Sequence, residues 1–193
     1  MKNLNTDNNK IDFNPVFERL NEELSKIGQS LKLVCAGGYV MQLNGYRGTA
    51  DIDAFYESDK NIEAIIQKVG DEFGINRPDE LWLNNSIANM NPTPSDEHCE
   101  IVYTLSNLEV KSVGITYLIG MKLISGRGQD LKDVAAILKY DNNEKPFELL
   151  SKLADMNFNI DISDLLNVYE EAHGMDWLDK FYVNNQDELR KYF

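Results

Sequence analysis

The sequence predicts an α/β protein with a small, mixed and twisted sheet, flanking helices and a helical C-terminal extension. Short apolar runs bounded by glycine or acidic residues indicate strands, and longer segments with apolar residues every three or four positions indicate amphipathic helices. Both patterns occur before residue 140, but only the helical pattern continues after residue 146. We therefore expect two domains, at 14–140 and at 147–193.

The first elements follow a polar segment, 1–10, that we expect to be flexible. Apolar residues at helical spacing predict a helix over 14–27, ended by Gly28. The apolar run Leu31–Ala36 predicts a buried strand. Gly37-Gly38 then predicts a tight turn, followed by a short helix over 39–43.

The remaining elements follow from the same two patterns. Carboxylate and apolar residues alternate in 51–56, which predicts a strand with Asp51, Asp53 and Phe55 on one face. The further predictions are a helix over 61–73, mostly loop over 77–97, a hairpin or two adjacent strands over 100–105 and 108–113, helices over 116–124 and 131–140, a linker over 141–146, and helices over 147–156, 162–172 and 176–182.

Composition excludes several classes of protein. Lys and Arg total 19 against 32 Asp and Glu, for a net charge of −13, so a general nucleic-acid coat protein is excluded. No apolar run reaches the roughly 18–20 residues of a membrane span. The two cysteines do not make a disulfide framework, and the sequence opens without a secretory signal pattern. We expect a cytoplasmic protein with no membrane partner.

The densest group of candidate functional residues lies within one short segment. It comprises Gly37, Gly38, Arg47, Thr49, Asp51 and Asp53. Two carboxylates on one strand face, about 6.5 Å apart, are suited to bind Mg²⁺ or Mn²⁺. A glycine pair after a strand lets the backbone approach a phosphate, while an arginine and a hydroxyl can donate to it. Each feature alone also fits a turn or a solvated strand edge; their combination favours a site.

Two segments carry a resemblance to a known family. AGGYVMQLNGYRGTADIDAF resembles the nucleotidyltransferase superfamily, in which a strand ending in Gly-Gly or Gly-Ser is followed by an Asp-x-Asp strand. It is most similar to the bacterial toxin-like branch, related to the abortive-infection toxins of type IV toxin/antitoxin systems. GMKLISGRGQDLKDVAAIL resembles the downstream motif of that branch. Its matching residues are Lys122, Arg127, Asp130 and Asp133.

The resemblance implies a nucleotidyltransferase-like fold over about 31–140 and a metal-dependent reaction. A nucleoside monophosphate would move from a nucleoside triphosphate to an acceptor, either tRNA or protein, and an antitoxin protein would be a partner. The implied site has Asp51 and Asp53 as metal ligands and catalytic residues, Gly37, Gly38, Arg47, Thr49 and Arg127 as nucleotide-binding residues, Lys122 offsetting triphosphate charge, and Asp130 orienting Lys122 or acting as a base.

Other interpretations of these residues stay open. Lys122 and Arg127 can be surface residues, Asp130 a helix cap, and Asp133 a first-turn acid favoured by the helix dipole. Many nucleotidyltransferases also have a third carboxylate, for which the sequence offers only two weak candidates, Glu100 and Glu109.

Two alternative functions also remain. The chain can be a non-catalytic nucleotide-binding or protein-interaction module, whose acidic tail binds a basic partner. It can also transfer a nucleotide to a small molecule such as an aminoglycoside, because an acidic surface suits a cationic drug.

Overall fold

The computed structural model describes residues 10–89, 92–140 and 145–192. Residues 1–9 of the predicted flexible segment and 141–144 of the predicted linker lie outside the described residues. The elements in chain order are α1 (Asn14–Ile27), β1 (Leu31–Cys35), α2 (Gly37–Leu43), β2 (Ile52–Phe55), α3 (Lys60–Phe73), β3 (Leu83–Asn84), β4 (Cys99–Thr104), β5 (Leu108–Val113), α4 (Ile115–Ser125), α5 (Gly128–Tyr140), α6 (Pro146–Asp155), α7 (Ile162–His173), α8 (Met175–Asn184) and α9 (Gln186–Leu189).

The predicted fold class is confirmed: a five-stranded mixed sheet with flanking helices is followed by a helical C-terminal region. The chain forms two compact units, Met1–Gly114 and Ile115–Phe193. The first contains the sheet and α1 to α3, and the second contains α4 to α9. The functional domain bounds of 14–140 and 147–193 stay a prediction.

The sheet has the strand order β3-β2-β1-β5-β4. The central strand, β1, runs antiparallel to β2 and parallel to β5. The strands β4 and β5 are antiparallel neighbours, as predicted, with a register shift between Ile101 and Tyr103. The segment predicted to be mostly loop also contributes β3, which pairs parallel to β2. Because β1 and β2 are antiparallel, the residues that directly follow β1 lie beside the beginning of β2.

One hydrophobic cluster joins the sheet to α1 and α3. Alternate residues of β1, Leu31, Leu33 and Cys35, are buried in it because successive strand residues point to opposite faces. The cluster also contains Phe17, Leu20 and Leu24 of α1 and Ile62, Ile66 and Val69 of α3. Trp82 is buried in the same cluster, where its Nε1 donates to the Ile66 carbonyl at 2.9 Å.

A buried carboxylate adds a polar link between α1 and α3. Glu23 of α1 accepts from Lys26 at 2.6 Å, from Lys68 of α3 at 2.8 Å and from Arg19 at 2.5 Å. Arg19 also pairs with Glu72 of α3 at 2.7 Å. Hydrogen bonds from Lys26, Lys68 and Arg19 lower the pKa of Glu23 to about 2. The charged form of this carboxylate is therefore the one that the folded unit stabilises.

The second unit is built from helices packed through apolar and aromatic side chains. In α4, a Cβ on Gly120 would lie 2.4 Å from the Phe158 ring, so glycine lets that ring pack against the helix. A stack of rings runs from Tyr169 through Trp177 to Phe181, with centroids 5.2 and 5.3 Å apart. None of the described helices combines the length and apolar character needed to cross a membrane.

Candidate active site

The glycine pair begins a helix instead of only preceding one. The helix α2 starts at Gly37, two residues before its predicted start. Gly37 has a φ of 58°, a left-handed conformation that glycine adopts without the steric cost of a Cβ. The peptide before it is tied to the neighbouring strand, because the Ala36 N–H donates to the Asp53 carbonyl at 2.9 Å.

Three predicted site residues converge over these glycines. A Cβ built on Gly37 would lie 2.7 Å from Asp53 Oδ2, closer than real Cβ atoms come to a neighbour. A Cβ on Gly38 would lie 2.5 Å from Thr49 Oγ1 and 3.4 Å from Arg47 Nη1. The missing side chains thus make room for a carboxylate, a hydroxyl and a guanidinium.

Thr49 connects this group to the other carboxylate. Its hydroxyl donates to Asp51 Oδ1 at 2.9 Å, and only 7% of the residue is exposed. Its N–H donates to Gln42 Oε1 at 3.0 Å, and Gln42 Nε2 donates to the Ile11 carbonyl at 2.7 Å. The buried amide of Gln42 therefore fixes Thr49, which orients Asp51. Gln42 is not among the residues predicted from the sequence, because its position in the short helix carries no chemical signal.

Arg77 is a second residue of the site that was not predicted from the sequence. Its Nη1 lies 3.3 Å from Asp51 Oδ2 and 3.1 Å from Glu80 Oε2. It belongs to the segment predicted to be mostly loop, 26 residues after its carboxylate partner. No local sequence pattern predicts a contact over that separation.

The two aspartates have the chemistry of a site for a hard divalent cation. Asp51 and Asp53 are partly exposed, and carboxylate oxygens are ligands that Mg²⁺ and Mn²⁺ prefer. Within the described ranges, no group of three or more His, Cys, Asp or Glu residues is arranged to hold a metal ion. An ion held here would take further ligands from water or substrate phosphates, as Mg²⁺ commonly does.

The candidates for a third carboxylate have other surroundings. Glu109 Oε1 lies 3.8 Å from both Lys32 Nζ and Lys111 Nζ. Glu100 is exposed on β4, at the edge of the sheet. Neither arrangement supports a metal-binding role for these glutamates.

The downstream motif forms a polar cluster in the second unit. The side chain of Lys122 is 6% exposed, and its Nζ donates to Asp130 Oδ1 and Asp133 Oδ2, both at 2.7 Å. Ser125 Oγ donates to Asp130 at 2.7 Å, and Gln129 Nε2 donates to Asp133 at 3.0 Å. Paired carboxylates and hydrogen bonds are what a buried ammonium requires.

The burial and positions of these residues disagree with the alternative roles of Lys122, Asp130 and Asp133 as a surface residue, a helix cap and a first-turn acid. Lys122 is buried, so it does not extend along the surface, and Asp133 is buried beside it. Asp130 is the third residue of α5, which begins at Gly128, and not its cap. Arg127 is exposed. The contribution of these residues to a reaction stays a prediction.

Comparison with known proteins adds one finding. A family model described as a nucleotidyltransferase of unknown function (DUF6036) matches residues 12–177. No curated protein and no solved structure gives a significant match to the chain. The matched range includes the glycine pair, both candidate metal ligands and the cluster around Lys122. The chain therefore belongs to this nucleotidyltransferase family.

Proposed function

We propose that the protein is a metal-dependent nucleotidyltransferase that moves a nucleoside monophosphate from a nucleoside triphosphate to an acceptor hydroxyl. The observation that carries the proposal is the convergence of Asp53, Thr49 and Arg47 over Gly37-Gly38. This arrangement provides a carboxylate, a hydroxyl and a cation within one small volume. The family match supports the general reaction class.

In this proposal Asp51 and Asp53 would hold Mg²⁺ or Mn²⁺. Such an ion, when bound, offsets the charge of the triphosphate. Thr49 keeps Asp51 oriented through the hydrogen bond at Oδ1. The guanidinium of Arg47 binds phosphate oxygens, for which its planar donors are suited. These residues act mainly by positioning the substrate and stabilising its charge.

The transfer conserves the groups involved. A bond forms between the acceptor oxygen and the α-phosphorus, and the bond from that phosphorus to the bridging β-phosphate oxygen breaks. Pyrophosphate leaves, and the acceptor hydroxyl gives its proton to a base. The resemblance assigns that role, or the orientation of Lys122, to Asp130, and the assignment stays a prediction.

We further propose that the acceptor is tRNA or a protein and that the enzyme is the toxin of a toxin/antitoxin or phage-defence pair. The sequence resemblance to the toxin-like branch supports this role. The net charge of −13 disfavours tight binding of RNA by this protein alone. An antitoxin protein is the expected partner.

The proposal is tested with purified protein, Mg²⁺ and each α-labelled nucleoside triphosphate, with bacterial RNA, bacterial protein or an aminoglycoside as acceptor. We expect labelled product from the wild type and a loss of about a hundredfold or more in Asp51→Asn and Asp53→Asn. Asp96→Asn is the matched control, because Asp96 is an exposed aspartate of the same unit that pairs with Lys111.

The outcomes separate the candidate functions. Equal transfer by the wild type and both site variants would refute the assigned metal ligands. Nucleotide binding without pyrophosphate release, for every acceptor offered, would favour a non-catalytic module. Transfer to the aminoglycoside alone would keep the chemistry and replace the proposed acceptor.

A further inference from the structure

We propose that Arg77 binds the phosphates of the substrate nucleotide and that, before a metal ion binds, it occupies the metal-binding oxygen of Asp51. This inference rests on the proposed function. It adds a substrate-binding residue from a segment outside both sequence motifs. Arg77 would release Asp51 when a divalent cation binds and would then donate to the phosphates.

The contact between Arg77 and Asp51 identifies the carboxylate oxygen for which the guanidinium and a metal ion would compete. Oδ1 of Asp51 accepts the Thr49 hydroxyl at 2.9 Å, whereas Oδ2 lies 3.3 Å from Arg77 Nη1. A metal ion bound through Oδ2 would meet the guanidinium at the same atom. Like charges repel at such distances, so binding of the metal weakens the contact of Arg77 with Asp51.

A second contact keeps the guanidinium at the site after this release. Glu80 Oε2 lies 3.1 Å from Nη1 of the same arginine. Both contacts use Nη1, so Nη2 and Nε can donate to a ligand without first breaking them. A planar guanidinium with two donors on one side matches a phosphate.

Hydrogen bonds hold the backbone around Arg77 against α3. The Arg77 N–H donates to the Glu80 carbonyl at 2.9 Å, which closes a tight turn. The preceding Asn76 donates to the Gln67 carbonyl of α3 at 2.8 Å and accepts from the Trp82 N–H at 3.2 Å. The side chain of Arg77 is 52% exposed. A fixed backbone with an exposed side chain allows the guanidinium to change partners without moving the fold.

The proposal predicts opposite effects on two kinds of binding, which a purely structural ion pair would not produce. Removing the guanidinium frees Asp51 Oδ2, so we expect Arg77→Gln to bind Mn²⁺ about fivefold more tightly, the equivalent of about 1 kcal/mol. The same variant loses a phosphate contact, so we expect it to bind nucleoside triphosphates about tenfold more weakly in the presence of Ca²⁺. Arg77→Lys keeps the charge, so its affinities for Mn²⁺ and for nucleotide should lie between those of the wild type and those of Arg77→Gln.

Both affinities are measured by titration calorimetry, first with Mn²⁺ alone and then with ATP, CTP, GTP and UTP in Ca²⁺. The variants are wild type, Arg77→Gln, Arg77→Lys, Asp51→Asn and the control Arg190→Gln. Arg190 is an exposed arginine that pairs with Asp187 at 3.2 Å in the other unit. Urea denaturation of each variant checks that the fold is retained.

The results distinguish failure of this inference from failure of the proposed function. If Asp51→Asn loses Mn²⁺ binding but Arg77→Gln matches the control in both titrations, Arg77 is a surface ion pair only and the inference is overturned. Tighter Mn²⁺ binding with unchanged nucleotide affinity would overturn the phosphate role. If the wild type binds no Mn²⁺, or Asp51→Asn binds it equally well, the assigned metal site and this inference both fail.

Discussion

Replacing Gly38 by alanine tests whether Thr49 can keep its position only because residue 38 has no side chain. A Cβ at position 38 would lie 2.5 Å from Thr49 Oγ1 and 3.0 Å from Thr49 Cβ, so one of the groups must move. Thr49 has little freedom, because its N–H is held by Gln42 and its side chain is buried. We expect its hydroxyl to lose the 2.9 Å hydrogen bond to Asp51.

The magnitude follows from opposing contributions to the free energy of unfolding. Overpacking costs about 1–3 kcal/mol, and a lost hydrogen bond to a charged group costs about 1.5–3 kcal/mol when the groups find no other partner. Alanine in place of glycine in a helix recovers up to about 1 kcal/mol. Gly38→Ala should therefore destabilise the protein by about 1.5–5 kcal/mol. Because Asp51 loses its orienting partner, we expect transfer to fall about 10- to 100-fold.

The assay combines urea denaturation with the labelled transfer reaction for Gly38→Ala, Thr49→Ala and the double variant. Alanine at position 49 removes the hydroxyl, so the double variant should be more stable than the sum of the two single effects by about 1 kcal/mol. Its transfer should stay low. Gly128→Ala is the matched control, since a Cβ at the first residue of α5 meets nothing within 4 Å.

Two results would refute this reasoning. One is a Gly38→Ala protein that is as stable as the control and fully active. The other is simple additivity in the double variant, which would show that positions 38 and 49 do not meet.

Three further predictions concern charge and burial. Hydrogen bonds from Lys26 and Lys68 lower the pKa of Glu23 to about 2. Its contribution to the free energy of unfolding is therefore complete above about pH 4.5 and is lost as the pH falls towards 2. Glu23→Gln should lower the urea midpoint at pH 7 but not at pH 2. Lys122→Met leaves two carboxylates without their ammonium and should cost about 3 kcal/mol in urea denaturation; an unchanged midpoint would mean that the ion pairs contribute nothing. Burial raises the pKa of the Cys35 thiol, so iodoacetamide should modify it only in denaturant, as peptide mapping can show; rapid labelling of the native protein would contradict its burial.

The part of the site that lies in one short segment was open to prediction from sequence. The glycine pair, Thr49 and the two aspartates fall between residues 37 and 53, and the short helix α2 with the return after it brings them together. Arg77 reaches Asp51 from a loop that hydrogen bonds of Asn76 and Trp82 hold to α3. That contact depends on tertiary packing, which no local spacing encodes.

Several elements show where local patterns are insufficient. Glycine is a poor helix former, yet α2 begins with Gly37 and Gly38. A residue with a higher helix propensity would bring a Cβ too close to Asp53 or Thr49 at these positions. The strand β3 has two residues, too few for any periodicity. The predicted helix over 131–140 makes Asp133 a first-turn acid, but α5 begins at Gly128, so Asp133 lies beyond the first turn, buried beside Lys122.

The order of the strands also has a consequence for the rate and sequence of folding. The parallel partner of β1 is β5, and their register joins Leu31 to Leu108, residues 77 positions apart. Pairing over that separation requires closing a long stretch of chain before the contact stabilises it, which makes such steps slow. The pairing of β1 with β2 joins Cys35 to Ala54, which are only 19 positions apart, across the short helix α2. In refolding experiments followed by pulsed hydrogen exchange, amide protection between β1 and β2 should therefore precede protection between β1 and β5.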